Sequence, residues 1–406
     1  MKRQIAVIGG GASGLAAAIS AAKAGAQVTI LERLPRVGKK ILLTGNGRCN
    51  LGNLDLSQGH YHGTLPQAAQ ILAKQSIGDY FRGMGLLIRA DAEGRLYPRS
   101  MTAASVLDAL RFAADKAGVQ TLCETRVTDI RPQKYGFVLV CETPDGKRDI
   151  RADAVIAAAG GAAAPSCGTD GSLYPVLERL GHKIIKPLPA LCPVPVQSAC
   201  LRQLKGIRVR AAVSAVRGGR VLKTEPGEIQ FTETALSGIC VFNLSRLTAI
   251  HGRETVLSVD LCPELGADAV SALLRELISQ RGHLPNTELL SGVVPKRIGE
   301  VLMKSCGLPL NAPASGLNGS DLAGLGAIIK AWEFPVSGQA CFAQAQVTAG
   351  GVAGQSVTKT LESRVCPGLY FCGELLDLDG DCGGFNLAWA WSSGDFAGKN
   401  AALKNE

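Results

Sequence analysis

Gly9, Gly11 and Gly14 form a G-x-G-x-x-G turn with Ala12 and Ser13 between them. Such a turn offers a phosphate a row of backbone N–H groups and no side chain in the way. Gly9 allows the sharp bend, Gly11 lets a pyrophosphate approach the backbone, and Gly14 lets a helix pack closely on a strand. A carboxylate is expected roughly 20 residues further on, where the ribose hydroxyls of an adenosine lie. Glu32 stands there, followed by Arg33. The residues that must position this chemistry flank it. Ile5, Val7 and Ile8 suit a strand buried on both faces. An Ala-rich helix then runs to Gly25, and Val28–Leu31 reads as a second strand ending at Glu32. The helix N-terminus adds unpaired N–H groups and partial positive charge. A glycine motif alone is weak evidence, but here the strand, helix and acidic residue all fall where dinucleotide binding requires them.

Two further stretches carry similar chemistry. Residues 38–50 (GKKILLTGNGRCN) read as a loop rich in glycine, hydrogen-bonding side chains and the cations Lys39, Lys40 and Arg48. Such a loop suits a polar, anionic ligand, and Arg48 beside a diphosphate could make bidentate bonds. Near the other end, Pro367–Asp377 reads as a strand ending in Gly373-Glu374, and Asp379-Gly-Asp-Cys-Gly-Gly opens a long helix to about Ala402. The dipole of that helix would stabilise negative charge at its start.

Composition limits the alternatives. The 406 residues exceed the size at which one core stops growing, so more than one domain is expected. With 46% hydrophobic and 19% charged residues, the chain is globular, not disordered. The formal net charge of +9 invites a nucleic-acid reading. No long basic run or basic–aromatic stripe accompanies it, so an electropositive cofactor pocket is preferred. Lys2-Arg3 followed by an apolar stretch resembles a secretion signal, but cleavage would remove the phosphate-binding turn. No segment reads as a membrane span. Thirteen cysteines without C-x-x-C suggest reduced thiols and a cytoplasmic location. His60-Tyr61-His62 offers two imidazoles, yet no ligands at zinc spacing follow, and no metal is expected.

Along the chain, 66–85 and 101–118 read as helices with a turn at 94–100 between them. Strands at 122–127, 136–142 and 149–151 suggest a small β-meander attached to the main sheet. Asp153–Ala162 is another buried strand ending in Gly160-Gly161, and Gly168-Thr-Asp-Gly-Ser precedes a short helix. From Pro187 the texture becomes alternating and strand-like (207–216, 221–223 and onward through 227–238). Helical patterns follow at 267–277, 295–306 and 320–332.

The front motif with Glu32, the turn at 158–161 and Gly373-Glu374 together resemble the glutathione-reductase-like FAD fold. The chain more closely resembles the BaiN/YhiN-like bacterial flavoproteins, the aminoacetone-oxidase-family FAD-binding enzymes. The resemblance runs nearly end to end, through residues 38–50, 227–232 with 236–238, 347–352 and 368–380. It implies an α/β fold: a discontinuous FAD-binding Rossmann domain (1–188 and 343–406), interrupted by a β-rich domain (189–260 and 333–342) carrying a helical insert (261–332). It implies non-covalent FAD, with Glu32 on the adenosine ribose and Glu374 on the ribitol. Lys39, Lys40, Thr44, Asn46, Gly47, Arg48, Cys49 and Asn50 would line the flavin side. Gly384, Phe385, Asn386 and Leu387 would sit near the isoalloxazine, with Arg33, Val127, Ala159, Gly160 and Gly373 also on the cofactor. Two departures stand out. The 157–161 turn lacks the threonine common there, and Cys382 replaces a familiar threonine. A Cys49–Cys382 redox pair is disfavoured by the spacing.

The expected function is an FAD-dependent oxidoreductase acting on a small organic molecule. Members of the resembled family reduce a conjugated C=C in 3-oxo bile acids or steroids, or oxidise small amines such as aminoacetone with O₂. The reductase reading is preferred. It needs a proton donor, for which Tyr61, Tyr97 and Tyr174 are candidates in expected loops. No second G-x-G-x-x-G provides a nicotinamide domain, so NADH or NADPH would meet the flavin directly. An RNA-binding flavoprotein and a non-catalytic flavin sensor are the remote alternatives; no nucleic-acid or membrane partner is expected.

Overall fold

In the computed structural model, which describes residues 2–338 and 340–403, the chain divides into two compact units. The first comprises 1–188 and 346–406, the second 189–345.

The first unit is built on a five-stranded parallel sheet. Its strand order is Leu369–Phe371, Ala154–Ala157, Gln4–Ile8, Gln27–Leu31, Gln120–Leu122. Val7, Ile30, Val155, Ile156 and Leu369 are fully buried, as strands covered on both faces require. The helix Ala12–Lys23 packs on the helix Phe385–Ala402, from the far end of the chain. Small residues allow the approach: a Cβ at Gly394 would lie 2.4 Å from the Ser13 carbonyl oxygen, and one at Gly398 2.2 Å from that of Ala17. The meander, expected as part of the main sheet, is instead a separate three-stranded antiparallel sheet, Arg126–Pro132, Phe137–Thr143 and Gly146–Ala152, and the strand expected over 122–127 is split, since Leu122 ends a strand of the parallel sheet.

Several local expectations are corrected. Residues 38–50 are not all loop: Lys39–Leu43 form a short helix, begun at Gly38 in the left-handed region (φ 75°) and pinned by buried Ile41. The turn expected at 94–100 contains the strand Arg95–Pro98, which pairs with Gly52–Asn53 and Ile88–Ala90. The helix expected over 66–85 is two helices, Ala68–Leu72 and Ile77–Arg82. The second is started by Ser76, whose hydroxyl accepts the Asp79 amide at 3.2 Å.

The second unit contains a six-stranded sheet ordered Val194–Pro195, Ala235–Ser237, Arg220–Phe231, Arg208–Arg217, Thr255–Asp260, Trp332–Pro335, all antiparallel. Val213, Phe231 and Phe334 from the sheet share one core with Leu274, Leu302, Leu325 and Ile329 from the helices of 261–332. A helix at Ile239–His251 was not evident from sequence. Its Ile, Val and Thr content reads equally as strand.

Candidate active site

Ligands of open parallel sheets bind outside the carboxyl ends of the strands. In the first unit those ends carry Gly9–Gly14, Glu32, Ala158–Gly161 and Gly373-Glu374, four of the stretches singled out by sequence. Gly9 lies at φ 101°, and a Cβ there would be 2.6 Å from the Ala158 carbonyl oxygen. A Cβ on Gly14 would be 1.9 Å from the Gly9 carbonyl oxygen, whereas one on Gly11 would meet nothing within 4 Å. The turn therefore closes tightly on its own sheet and stays open at Gly11, the shape a phosphate needs. Ala12 and Ser13 form the first turn of the helix that begins there.

The Glu32 carboxylate is 8% exposed. Its two oxygens accept the Gly10 and Leu34 amides, each at 2.8 Å. These bonds fix the carboxylate beside the glycine turn and leave lone pairs for further donors. The Thr125 amide donates to the Glu32 carbonyl at 2.8 Å, which brings the strand bearing Val127 alongside.

Lys39 and Lys40, two of the cations expected to face an anionic ligand, and Arg33 are turned to the 163–170 segment. Lys39 Nζ donates to the Ser166 carbonyl at 2.6 Å, and Lys40 Nζ to that of Ala163 at 3.2 Å. Arg33 pairs with Asp170 at 2.5 Å. Burial tends to raise the Asp170 carboxyl, but the Ser172 and Arg33 hydrogen bonds more than offset it and hold it at about 2. Lys40 also meets Glu374 at 2.8 Å, while the Thr348 amide donates to the other Glu374 oxygen at 3.0 Å. Gly160, at φ 74°, lies against Thr169, with Ala159 just before it. The cations thus hold the walls of the site together. Arg48 likewise sits over the Tyr97 ring, 5.5 Å from its centroid, with its Nε 3.3 Å from the Gly45 carbonyl.

Thr348 was missed by sequence reasoning as an individual residue. It is fully buried, and its hydroxyl oxygen accepts the amides of Ala162 and Ala163 at 2.8 and 3.0 Å. It fastens the segment after Gly160 to Glu374.

The rear turn is held equally firmly. Asn386 brackets Gly380, accepting its amide at 2.9 Å and donating to its carbonyl at 2.7 Å. Asn53 Nδ2 donates to the Gly383 carbonyl at 3.1 Å. Trp389 donates its indole N–H to the Gly373 carbonyl, and Trp391 to that of Leu51, both at 3.1 Å. Gly384 lies at φ 99°, and a Cβ there would be 2.5 Å from Asn50 Oδ1. That Asn50 oxygen is buried without a partner among the described residues, an acceptor unmet by the protein. Thr44 donates back to the Ile41 carbonyl, Asn46 and Cys49 take left-handed backbone, as does Gly47, and Leu387 packs against the core. Burial pushes the Cys49 thiol up to about 11, so it is a packed thiol, unsuited to redox exchange at neutral pH.

The tyrosine candidates do not lie in loops. Tyr61 is in the strand Tyr61–Gly63, and its hydroxyl donates to the Phe385 carbonyl at 3.2 Å. Tyr97 lies in a strand, and Tyr174 begins a helix with its hydroxyl buried. Burial raises both the Tyr61 and Tyr174 phenols. His60 and His62 gather instead around Asp381. His62 Nε2 is 3.1 Å from Asp381 Oδ1, and His60 Nδ1 is 3.5 Å from Asp381 Oδ2. No group of three His, Cys, Asp or Glu side chains among the described residues is arranged to hold a metal, and none of the helices described is long and apolar enough to cross a membrane.

An open phosphate turn, a fixed buried carboxylate, a second carboxylate at a parallel strand end and an unmet buried acceptor at the rear turn suit the parts of FAD. The fold is an α/β FAD-binding Rossmann fold with an inserted antiparallel β unit, and the protein is a flavoprotein oxidoreductase. The chain belongs to the HI0933-like family, whose Rossmann-domain model matches residues 3–400. It is 39% identical over 409 residues to a 3-dehydro-bile acid delta(4,6)-reductase of Clostridium scindens, covering 98% of this chain and 99% of the relative. It is 28% identical to a ribosomal RNA dihydrouridine synthase of Haemophilus influenzae, over 95% of each chain. Among solved structures, the 3-ketosteroid delta1-dehydrogenase of Sterolibacterium denitrificans matches with a TM-score of 0.54 at 12% identity, covering 99% of this chain and all of that one. This last likeness is one of fold.

Proposed function

We propose that the protein uses FAD to reduce a carbon–carbon double bond conjugated to a carbonyl, in a small 3-oxo steroid or bile-acid type of substrate, with NADH or NADPH as electron donor. The end-to-end similarity to the delta(4,6)-reductase carries this reading. FAD, when bound, supplies the hydride chemistry, and the protein supplies position and electrostatics. Glu32 would hold the adenosine ribose, the amides at Gly11–Ser13 the diphosphate, and Glu374 the ribitol. Lys40 and Thr348 hold Glu374 for that task. The Gly383–Leu387 turn would hold the flavin ring, and a nicotinamide would reach it without a domain of its own.

A uracil ring within RNA is the second reading. It is favoured by the similarity to the dihydrouridine synthase and by the net charge of +9. The chemistry would be the same, since the uracil C5=C6 bond is also conjugated to a carbonyl. Anaerobic titration of the FAD-loaded protein with NADH, then NADPH, tests the donor. Bleaching of the flavin absorbance is expected with one of them, and recolouring on adding a 3-oxo-4-ene or 4,6-diene steroid identifies the acceptor. Recolouring with uridine-containing RNA alone would move the assignment to RNA. Bleaching by a small amine, with peroxide formed in air, would replace both with an oxidase.

A further inference from the structure

We infer that His62, oriented by Asp381, delivers the proton to the substrate carbon in the proposed reduction; the inference rests on that reading of the reaction. The strands Tyr61–Gly63 and Leu378–Gly380 pair antiparallel, with His62 opposite Asp379 and Tyr61 opposite Gly380. This ladder sets both histidines beside the turn that starts the last helix. Asp381 is 8% exposed and lies between them. Its Oδ1 is 3.1 Å from His62 Nε2, and its Oδ2 3.5 Å from His60 Nδ1. The other nitrogen of His60 is 3.3 Å from Asp55 Oδ2, and its ring stacks on Phe385 at 4.2 Å and 16°. His60 is thereby committed at both nitrogens.

His62 is not. An ionised carboxylate only accepts, so Nε2 must carry the hydrogen that faces Asp381. Nδ1 is then the nitrogen turned away from the carboxylate, and the side chain is 31% exposed. Histidine exchanges protons readily near neutral pH, and a carboxylate behind it fixes which nitrogen does so. The tyrosines offer less. The Tyr61 hydroxyl is spent on the Phe385 carbonyl, Tyr97 lies under Arg48, and Tyr174 is buried. Among the described residues, the ion pairs and the strand register set Asp381, Asp379 on the facing strand, and His60 with Asp55 near His62, and Tyr61 precedes it in the chain.

The step balances simply. The β-carbon of the conjugated bond accepts a hydride, whose two electrons come from the nicotinamide donor. The α-carbon takes the proton leaving His62 Nδ1. One π bond breaks, two C–H bonds form, the nicotinamide is oxidised, and solvent returns a proton to the imidazole.

Two measurements test this. His62→Gln, with FAD loading checked by absorbance, should lower kcat/KM by roughly 100- to 10,000-fold. It should leave flavin bleaching by NAD(P)H unchanged and abolish the alkaline limb of the pH profile. Asp381→Asn should lower kcat/KM less, while His60→Gln should retain the limb. Selective ¹⁵N-histidine NMR of the protein without substrate reads the pair independently of turnover. Wild type should show His62 as the Nε2–H tautomer, and Asp381→Asn should relax that preference. An Nδ1–H tautomer in wild type, or a His62→Gln variant with normal kcat/KM and an unchanged profile, overturns the inference. If no enone is reduced by wild type while the tautomer is as expected, it is the reaction assignment that fails.

Discussion

Replacing Thr348 by valine isolates one hydrogen-bonding oxygen from everything else the residue does. Valine has nearly the same shape and keeps the backbone N–H that reaches Glu374, but it has no acceptor for the amides of Ala162 and Ala163. Both amides belong to buried residues. Leaving a buried donor unsatisfied costs about 1–3 kcal/mol each, so the pair should lose about 2–6 kcal/mol if the segment stays where it is. Thr348→Ser keeps the oxygen and loses one methyl, for which about 1 kcal/mol is expected. Valine should therefore be the more damaging change, against the order that apolar burial alone would give. Global unfolding of a two-unit chain is not safely two-state, so hydrogen exchange of the peptide spanning 160–166 is the better assay. At 1.4 kcal/mol per tenfold, exchange there should speed up roughly 30-fold or more in Thr348→Val, with little change in the 208–217 strand. FAD affinity should fall in parallel. A serine variant that exchanges faster than the valine variant would refute the reasoning.

Glu32→Ala removes the acceptor of the Gly10 and Leu34 amides as well as the ribose carboxylate. FAD occupancy of the purified protein should drop by about tenfold or more, with circular dichroism of a folded protein retained; undiminished occupancy would contradict the ribose role. Gly398→Ala pushes a methyl into the Ala17 carbonyl and should destabilise by about 1–3 kcal/mol. Gly324→Ala, where a Cβ meets nothing within 4 Å in the helix Gly319–Lys330, should instead stabilise by about 0.5–1 kcal/mol. Hydrogen exchange of peptides from the two helices, expected to speed up in the first variant and slow down in the second, checks both. His182 is buried, with Nδ1 2.9 Å from the Leu177 carbonyl and Nε2 2.8 Å from Ser363 Oγ, and burial lowers its folded pKa. Its folded state resists a proton that the unfolded chain accepts. The stability it contributes should be complete above pH about 6.5 and be lost as pH falls through the lower folded value. Melting curves from pH 7.5 to 5 should show a decline that His182→Gln flattens.

The front of the site was legible because glycine spacing encodes backbone geometry directly. Gly9 and Gly14 sit where a side chain would strike a carbonyl oxygen, and no other residue type would report that. Most of the long helices, Ile239–His251 excepted, and the buried parallel strands were legible from periodicity. What escaped depends on partners far apart in the chain. Nothing near Thr348 announces that its oxygen will serve amides at 162 and 163, and His62 meets Asp381 across 319 positions. The cations of 33–40 were visible, but their acceptors at 163–170 and 374 were not. The strand Arg220–Phe231 runs through Pro226-Gly227. Its ladder to Ala235–Ser237 covers only Gln230 and Phe231, so the proline leaves no strand bond on that side unmade.

The sheet of the first unit is finished by Leu369–Phe371, and its first helix is covered by Phe385–Ala402. A ribosome has therefore produced the whole of 189–345 before those pieces exist. Synthesis at about 5–20 residues per second leaves the nascent Rossmann segment waiting on the order of ten seconds or more with an open sheet edge and an uncovered alanine-rich helix. Over that interval the phosphate turn is already complete, whereas Glu374 and the rear glycine turn are not. A chain stalled or truncated before residue 369 would thus expose apolar surface to chaperones and aggregation while lacking half of its cofactor cradle.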